Sequence, residues 1–339
     1  MNRLRSYIIS NLSSLFLSIF MPLFTIASVI FLIKLATYTA VIQLSIWEMA
    51  KLYFFVLPEI LFYTLPVTFF IASTLTLFKL SNDNEIVVLF SLGIKPAFIL
   101  KTLLRPAILL SLVLSIDFFI LFPHATVLSS NFVSYKKSEA KFNLAASEFG
   151  NSFGDWLLYL GKKNLDGTYS QVFLFNKKKK EEILISAQKA EIINDSGILR
   201  LKLSDGEGYG YSTESFTQMN FTTMLINDTM KTSLTTYRAP LDYWLSDDRA
   251  DSKRHMFITD TLLSLFPIIS LFLVASIGIV HARHQKSGVY LFIFATIILY
   301  YGLTLGLQDI LVYYTIPTIA ISWTLLSYFI YRKTIVNRF

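Results

Sequence analysis

The chain has 339 residues, 54% of them hydrophobic, and its mean hydropathy of +0.54 places it among membrane proteins. It contains no cysteine, which excludes a disulfide framework, a thiolate metal site and a cysteine nucleophile. The formal charge of +7 is no sign of nucleic-acid binding: residues 124–252 hold 15 of the 30 Lys/Arg and 16 of the 23 Asp/Glu, so the excess of basic residues belongs to the apolar flanks.

The first apolar run, 12–36, follows Arg3 and Arg5. It is longer than a signal-peptide core and no small-residue cleavage site follows it, so it is read as a retained first helix. A second helix is expected over 52–79, where Pro58 and Pro66 should kink or locally unwind it, and a third over 97–122. Beyond the polar block, helices are expected over 257–280, 289–306 and 310–331. A crossing of the ~30 Å hydrocarbon layer takes about 20 helical residues, a length that these runs broadly match. Of the Lys/Arg near helix ends, eleven, from Arg3 to Arg338, fall on one side of this plan. Only four, Lys34, Lys51, Lys253 and Arg254, fall on the other. By the positive-inside rule both termini are cytoplasmic and the polar block lies outside, in the periplasm of a bacterium with two membranes.

The block itself reads as β. Trp156–Leu160, Gln171–Phe175, Ile183–Ala187 and Ile198–Leu203 are short runs of strand length, and Ile198–Leu203 alternates apolar with basic residues. Asp166-Gly167, Asp195-Ser-Gly197 and Asp205-Gly206 are turn signals, and Phe216–Ile226 has room for a strand pair. Lys177–Lys180 followed by Glu181 and Glu182 reads as a solvated hairpin loop, with a lipid-phosphate or partner contact as the other reading. The expected fold is therefore an α-helical membrane protein of six transmembrane helices with an inserted all-β, jellyroll-like periplasmic domain. Its parts are 1–123, carrying helices 1–3 and a cytoplasmic helix at 81–93, then 124–252 for the β domain and 253–339 for helices 4–6.

The sharpest local signal is Leu80-Ser-Asn-Asp-Asn-Glu-Ile-Val-Val-Leu-Phe-Ser-Leu-Gly-Ile-Lys-Pro96. Ser81, Asn82 and Asp83 suit a helix start, Asp83 and Glu85 suit its positive end, and Gly93 with Pro96 suits its close. Such a helix carries Ile86, Val87, Val88, Leu89, Phe90 and Leu92, is apolar nearly all round and is too short to span. It requires either a protein groove or the bilayer surface, and physics alone leaves both open. Lys34, in Phe31-Leu-Ile-Lys-Leu, must snorkel or meet an anion, and Lys51 is a second candidate of the same kind.

Pro58-Glu59, Leu65-Pro66 and Leu80-x-x-x-x-Glu85-Ile-x-Val-x-x-x-x-Gly93 together resemble the LptF/LptG family of lipopolysaccharide-export permeases, as does the loop His281-Ala-Arg-His-Gln-Lys-Ser-Gly288. The Pro-Glu pair looks more like LptF. The resemblance implies three helices, a periplasmic β-jellyroll and three more helices. It also implies a coupling helix at 81–93 docked in a cytoplasmic ABC ATPase dimer, with Glu85 meeting the ATPase and Asp83, Ile86, Val88, Leu89, Phe90 and Gly93 completing the docking set. Lys34 and Lys51 become lipid-binding candidates facing lipopolysaccharide phosphates. The implied partners are an LptG-like permease, a periplasmic LptC/LptA-like jellyroll protein and membrane lipid. No cofactor and no nucleic acid is implied.

Other signals have plainer readings. Glu59 and Asp117 fall inside apolar runs and are read as structural, and Asp309 as a turn residue between the last two helices. His281 and His284 are three apart but have no acidic or thiol co-ligand. Gly206-x-Gly208-x-Gly210 opens no helix, and no Gly-x-x-x-x-Gly-Lys-[Ser/Thr] occurs, so any ATP used is bound by another polypeptide. The competing function is a membrane-anchored periplasmic adaptor without transport. An adaptor has no use for the short cytoplasmic helix, whereas a permease lacking its own nucleotide site does. An enzyme is not expected, because the polar block holds no Ser/His/Asp grouping.

Overall fold

A computed structural model describes residues 2–39, 44–142, 151–153, 156–164, 166–178, 181–195, 198–212, 215–227, 239–245, 250–280 and 288–337. The chain divides into two compact units: a helical one of Met1–Leu35, Ala50–Leu128 and Tyr237–Phe339, and a β-rich one of Ala36–Met49 and Ser129–Thr236.

In the helical unit, α1 (Asn2–Thr39) and α2 (Ile46–Asn82) are long and apolar. Helix α2 runs without local unwinding through Pro58 and Pro66. Its polar residues are absorbed locally: Thr64, Thr68, Thr74 and Thr76 each donate to a carbonyl four residues back, so a threonine hydroxyl does not oppose burial. The short α3 (Glu85–Ser91) precedes α4 (Pro96–Ile116), which passes through a π-helical turn at Asp117–Leu121 into α5 (Phe122–Phe142). The sequence suggested an end at 122. The helix continues past Pro123, whose missing N–H would otherwise leave the Phe119 carbonyl unpaired. The indole N–H of Trp244, on α6 (Pro240–Leu245), donates to that carbonyl at 3.2 Å. A distant side chain thus repairs a break that the local sequence encodes.

Helices α7 (Ala250–Ile269) and α8 (Leu271–Gly278) meet at Ser270 with a bend of 48°. The last long apolar stretch is α9 (Gly288–Leu311), a 3₁₀ turn at Val312–Tyr314 and α10 (Thr315–Tyr331). The rings of Tyr300 and Trp323 lie 4.9 Å apart. Their sequence separation would place them about 35 Å apart on one straight helix, so α9 and α10 fold back on each other. Among the described residues, four helical stretches are long and apolar enough to cross a membrane, and the bent α7–α8 pair makes a fifth. An aromatic chain ties α2, α7, α9 and α10 together: Phe70 to Phe266 at 5.2 Å, Phe266 to Tyr300 at 4.5 Å, then Trp323. The buried phenol of Tyr300 donates to the Leu262 carbonyl at 2.6 Å, which satisfies the one polar atom this ring carries into the core.

Among the described residues the inserted domain forms a six-stranded antiparallel sheet in the order β1 (Asn151–Phe153), β2 (Trp156–Leu160), β3 (Tyr169–Lys178), β4 (Glu181–Asp195), β5 (Ile198–Ser212) and β6 (Phe216–Asn227). Each strand neighbours the next in sequence among the described residues. Phe216–Ile226, expected as a strand pair, lies in one long strand. Asp205-Gly206, read as a turn, lies inside β5, because strand pairing outweighs the local turn preference. Asp166-Gly167 does turn: Thr168 donates its amide (3.1 Å) and hydroxyl (2.6 Å) to the Asp166 carboxylate, and these bonds hold its pKa down to about 2. Lys177 and Glu182 face each other across the β3–β4 hairpin at 2.9 Å. Residues 179–180 of the basic run and 196–197 of the second turn signal lie outside the described residues.

One face of the sheet is buried and apolar, and the pleat breaks along a line crossing it. Gln171, Gln188, Asp205 and Thr222 are each skipped in otherwise in-register pairing, and Gln171 and Asp205 have positive φ. On one side of this line the buried positions are Val172, Leu174, Ile185 and Ala187. On the other they are Tyr169, Ala190, Leu201 and Leu203. The alternation shifts by one residue in each strand, so one face stays apolar throughout. Gly206 adjoins the break because a Cβ there would fall 2.3 Å from the Ser186 carbonyl and 2.5 Å from the Phe221 ring. The Gly-x-Gly-x-Gly run therefore has a packing role, with no phosphate loop involved.

Candidate functional site

The short helix α3 is closed at its far end by a Schellman motif. Gly93, at φ +82°, donates to Phe90, and Ile94 donates to Leu89. Its start differs from the sequence reading. Ser81 and Asn82 belong to the last turn of α2, and Asn84, at φ 61°, occupies the cap position without a side-chain bond. Asp83 is exposed in the intervening turn and Glu85 opens the helix.

Helix α3 with its C-cap residue Leu92 presents two faces. Ile86 is completely buried in the helical core, and Phe90, one turn on, packs against it. On the far side Val88 is 54% and Leu92 73% exposed, again one turn apart. Leu89 is half-buried between them. Ile86, placed in the docking set by resemblance, thus anchors α3 to its own chain and takes no direct part in an outward surface. Glu85 is not free-standing: the Tyr7 phenol of α1 donates to its carboxylate, with both oxygens at 2.9 Å. A carboxylate accepts several bonds, so this contact orients Glu85 and leaves acceptor capacity for a cationic group.

Lys34 and Lys51 are both exposed. The Ser28 and Tyr53 hydroxyls are 2.9 Å apart, and the Phe31 and Tyr53 rings 6.2 Å apart. These contacts join α1 and α2 within two turns of each lysine, so both cations sit at the same end of the helical unit.

Among the acids in the apolar helices, Glu59 is exposed and Asp117 buried. Sequence reading passed over a third, Asp260 of α7, which is fully buried and accepts from the Tyr63 phenol at 3.4 Å. The lone acid near the start of the fourth apolar run was its signal. Asp117 Oδ1 and Asp260 Oδ2 have no hydrogen-bond partner among the described residues. Asp309 lies near the α9–α10 turn, 3.5 Å from His255. No cluster of three or more potential metal ligands occurs among the described residues. His281 and His284, and most of the His281–Gly288 loop, lie outside those residues.

A family model, the lipopolysaccharide export system permease LptF/LptG, matches residues 6–331. The chain belongs to the LptF/LptG family. The match runs from the first helix through the inserted sheet into α10, so it covers the whole architecture and not a shared helical segment. LptF/LptG proteins are inner-membrane permeases for lipopolysaccharide export. They are transport proteins, not catalytic enzymes, and they work within the Lpt ABC exporter with other Lpt subunits. No curated protein matches the chain.

Proposed function

We propose that this protein is the LptF-like permease subunit of an ATP-driven lipopolysaccharide exporter and that α3 is its coupling helix. The observation that carries the reading is the two-faced construction of α3. Ile86 and Phe90 fix it to the helical core, while Val88 and Leu92 form an outward apolar pair beside an oriented carboxylate. An apolar pair next to an acid suits a protein groove carrying a basic rim, and an ABC ATPase dimer supplies the nucleotide site that this chain lacks. Glu85, held by Tyr7, accepts a charge-assisted bond from a partner Arg, while Asp83 contributes negative charge and Leu89 apolar contact. Movement of α3 then shifts the helices that surround the lipid.

In this reading both termini are cytoplasmic and the β domain is periplasmic. The six helical crossings are α1, α2, α4 with its continuation, α7–α8, α9 and α10. Lys34 and Lys51 meet lipid A phosphates at the outer end of α1 and α2. The apolar face of the sheet receives acyl chains and hands the lipid to a periplasmic LptC/LptA-like jellyroll protein. A homologous LptG-like permease completes the pair.

The test is ATPase copurification together with lipid release from reconstituted vesicles. Glu85→Ala should remove about 1.5–3 kcal/mol of charged hydrogen bonding and weaken docking roughly tenfold or more. Glu85→Lys should be worse, because it places a cation against a partner Arg. Wild-type copurification and transport by Glu85→Lys would replace the coupling helix with one lying in the lipid interface.

A further inference from the structure

Ser81 lies in the last turn of α2, 1% exposed, and both of its polar groups serve as joints. Its hydroxyl donates to the Val280 carbonyl at 2.5 Å and accepts from the Val280 amide at 3.0 Å. Its backbone carbonyl accepts from the amide of Asn84, the residue that caps α3, at 3.1 Å. One side chain thereby satisfies both backbone groups of Val280, the second residue beyond α8, where the helix no longer supplies partners. The same residue holds the start of α3.

The surrounding packing leaves this joint little slack. A Cβ at Gly278, the last residue of α8, would fall 2.7 Å from Leu77 Cβ and 2.7 Å from the Thr74 carbonyl, so the backbones of α8 and α2 approach as closely as glycine permits. At the other end of α8, the bend at Ser270 is held by the Trp323 indole, which donates to the Ser270 hydroxyl at 3.0 Å. The end of α8 therefore connects through one short helix to a bent span in the second half of the chain. The entrance to α3 connects to the first half.

We propose that Ser81 is a positioning residue for energy coupling: it fastens the entrance of α3 to the end of α8, so that a displacement of α3 reaches the bent α7–α8 span as well as α2. This inference rests on the coupling reading of α3. Without the hydroxyl, α3 remains attached to α2 through the chain and still docks the ATPase through its own outward face. What is lost is transmission to the second half.

The experiment uses the full exporter complex in vesicles and reads lipid released per ATP hydrolysed. Ser81→Ala should copurify with the ATPase and hydrolyse ATP within about twofold of wild type, while lipid released per ATP falls about five- to tenfold. Ser81→Cys, close in shape but a weak donor, should fall between the two, and it serves as the reporter should Ser81→Ala fail to assemble. A merely structural role would lower hydrolysis and release together and leave their ratio unchanged, which overturns the proposal. So does a wild-type ratio in both variants. Glu85→Lys is assayed in parallel: loss of its ATPase alongside wild-type coupling in the Ser81 variants removes only this inference, whereas retention of its ATPase and its transport removes the coupling reading itself.

Discussion

At the scale of single residues, three contacts organise the cytoplasmic end proposed for this permease: Tyr7 with Glu85, Ile86 with the core, and Ser81 with Val280. The proposed role of Glu85 came from the family resemblance, while its place opening the short helix was legible from the acidic, apolar segment. Tyr7 was not, because nothing local in Arg-Ser-Tyr-Ile-Ile connects it to a residue 78 positions away. Ser81 was read as a cap, since Ser-Asn-Asp before an apolar run resembles a helix start. Its burial against Val280 redirects the hydroxyl to a longer-range partner. Lys34, exposed near the end of α1, is the residue proposed to meet the lipid phosphates. Lys34→Glu should lower lipid crosslinking and export about tenfold while ATPase copurification is unchanged, and Lys34→Arg should be mild. Equal export by wild type and Lys34→Glu would reduce Lys34 to a snorkelling side chain.

At the scale of elements, β5 shows how a motif changes meaning with its setting. Gly206, Gly208 and Gly210 occupy alternate positions of one strand, and only the first is sterically required. Gly206→Ala drives a methyl into the Ser186 carbonyl and the Phe221 ring and should destabilise the sheet by about 1–3 kcal/mol or more. Gly208→Ala meets Met219 Cε at an ordinary 3.6 Å and should be close to neutral. Limited proteolysis of the β domain in the two variants separates them, and equal protection in both would contradict the close approach at position 206. The third helical run teaches the same lesson in reverse. The apolar run was expected to end at 122, yet the π-helical turn before Pro123 and the Trp244 bond to the carbonyl that this proline frees carry the helix on to Phe142.

At the scale of the whole molecule, the bias in basic residues predicts one orientation. Because the chain has no cysteine, single cysteines report sidedness without background. Thr222→Cys, exposed on β6, should react with an impermeant thiol reagent in intact spheroplasts. Ser287→Cys should stay unlabelled until the membrane is opened. The opposite pattern would place the sheet in the cytoplasm and remove the lipid hand-over with it.

Membership of a bitopological plan, helices then sheet then helices, was set by sequence alone, because hydropathy and charge act locally and ~20 apolar residues in a row have few other stable environments. The strand runs were equally visible, since their alternation is a local property. Other features belonged to tertiary structure. They include the shared line of broken pairing through Gln171, Gln188, Asp205 and Thr222, the fold-back that brings Tyr300 to Trp323, and the burial of Asp260 beside Tyr63. Each depends on partners many residues away, and its free energy arises only when separate elements pack. The site divides along the same boundary. An acidic, apolar helix between two long apolar runs is written in the chain, whereas which of its faces is anchored and which is presented was decided by the core that Ile86 and Phe90 enter.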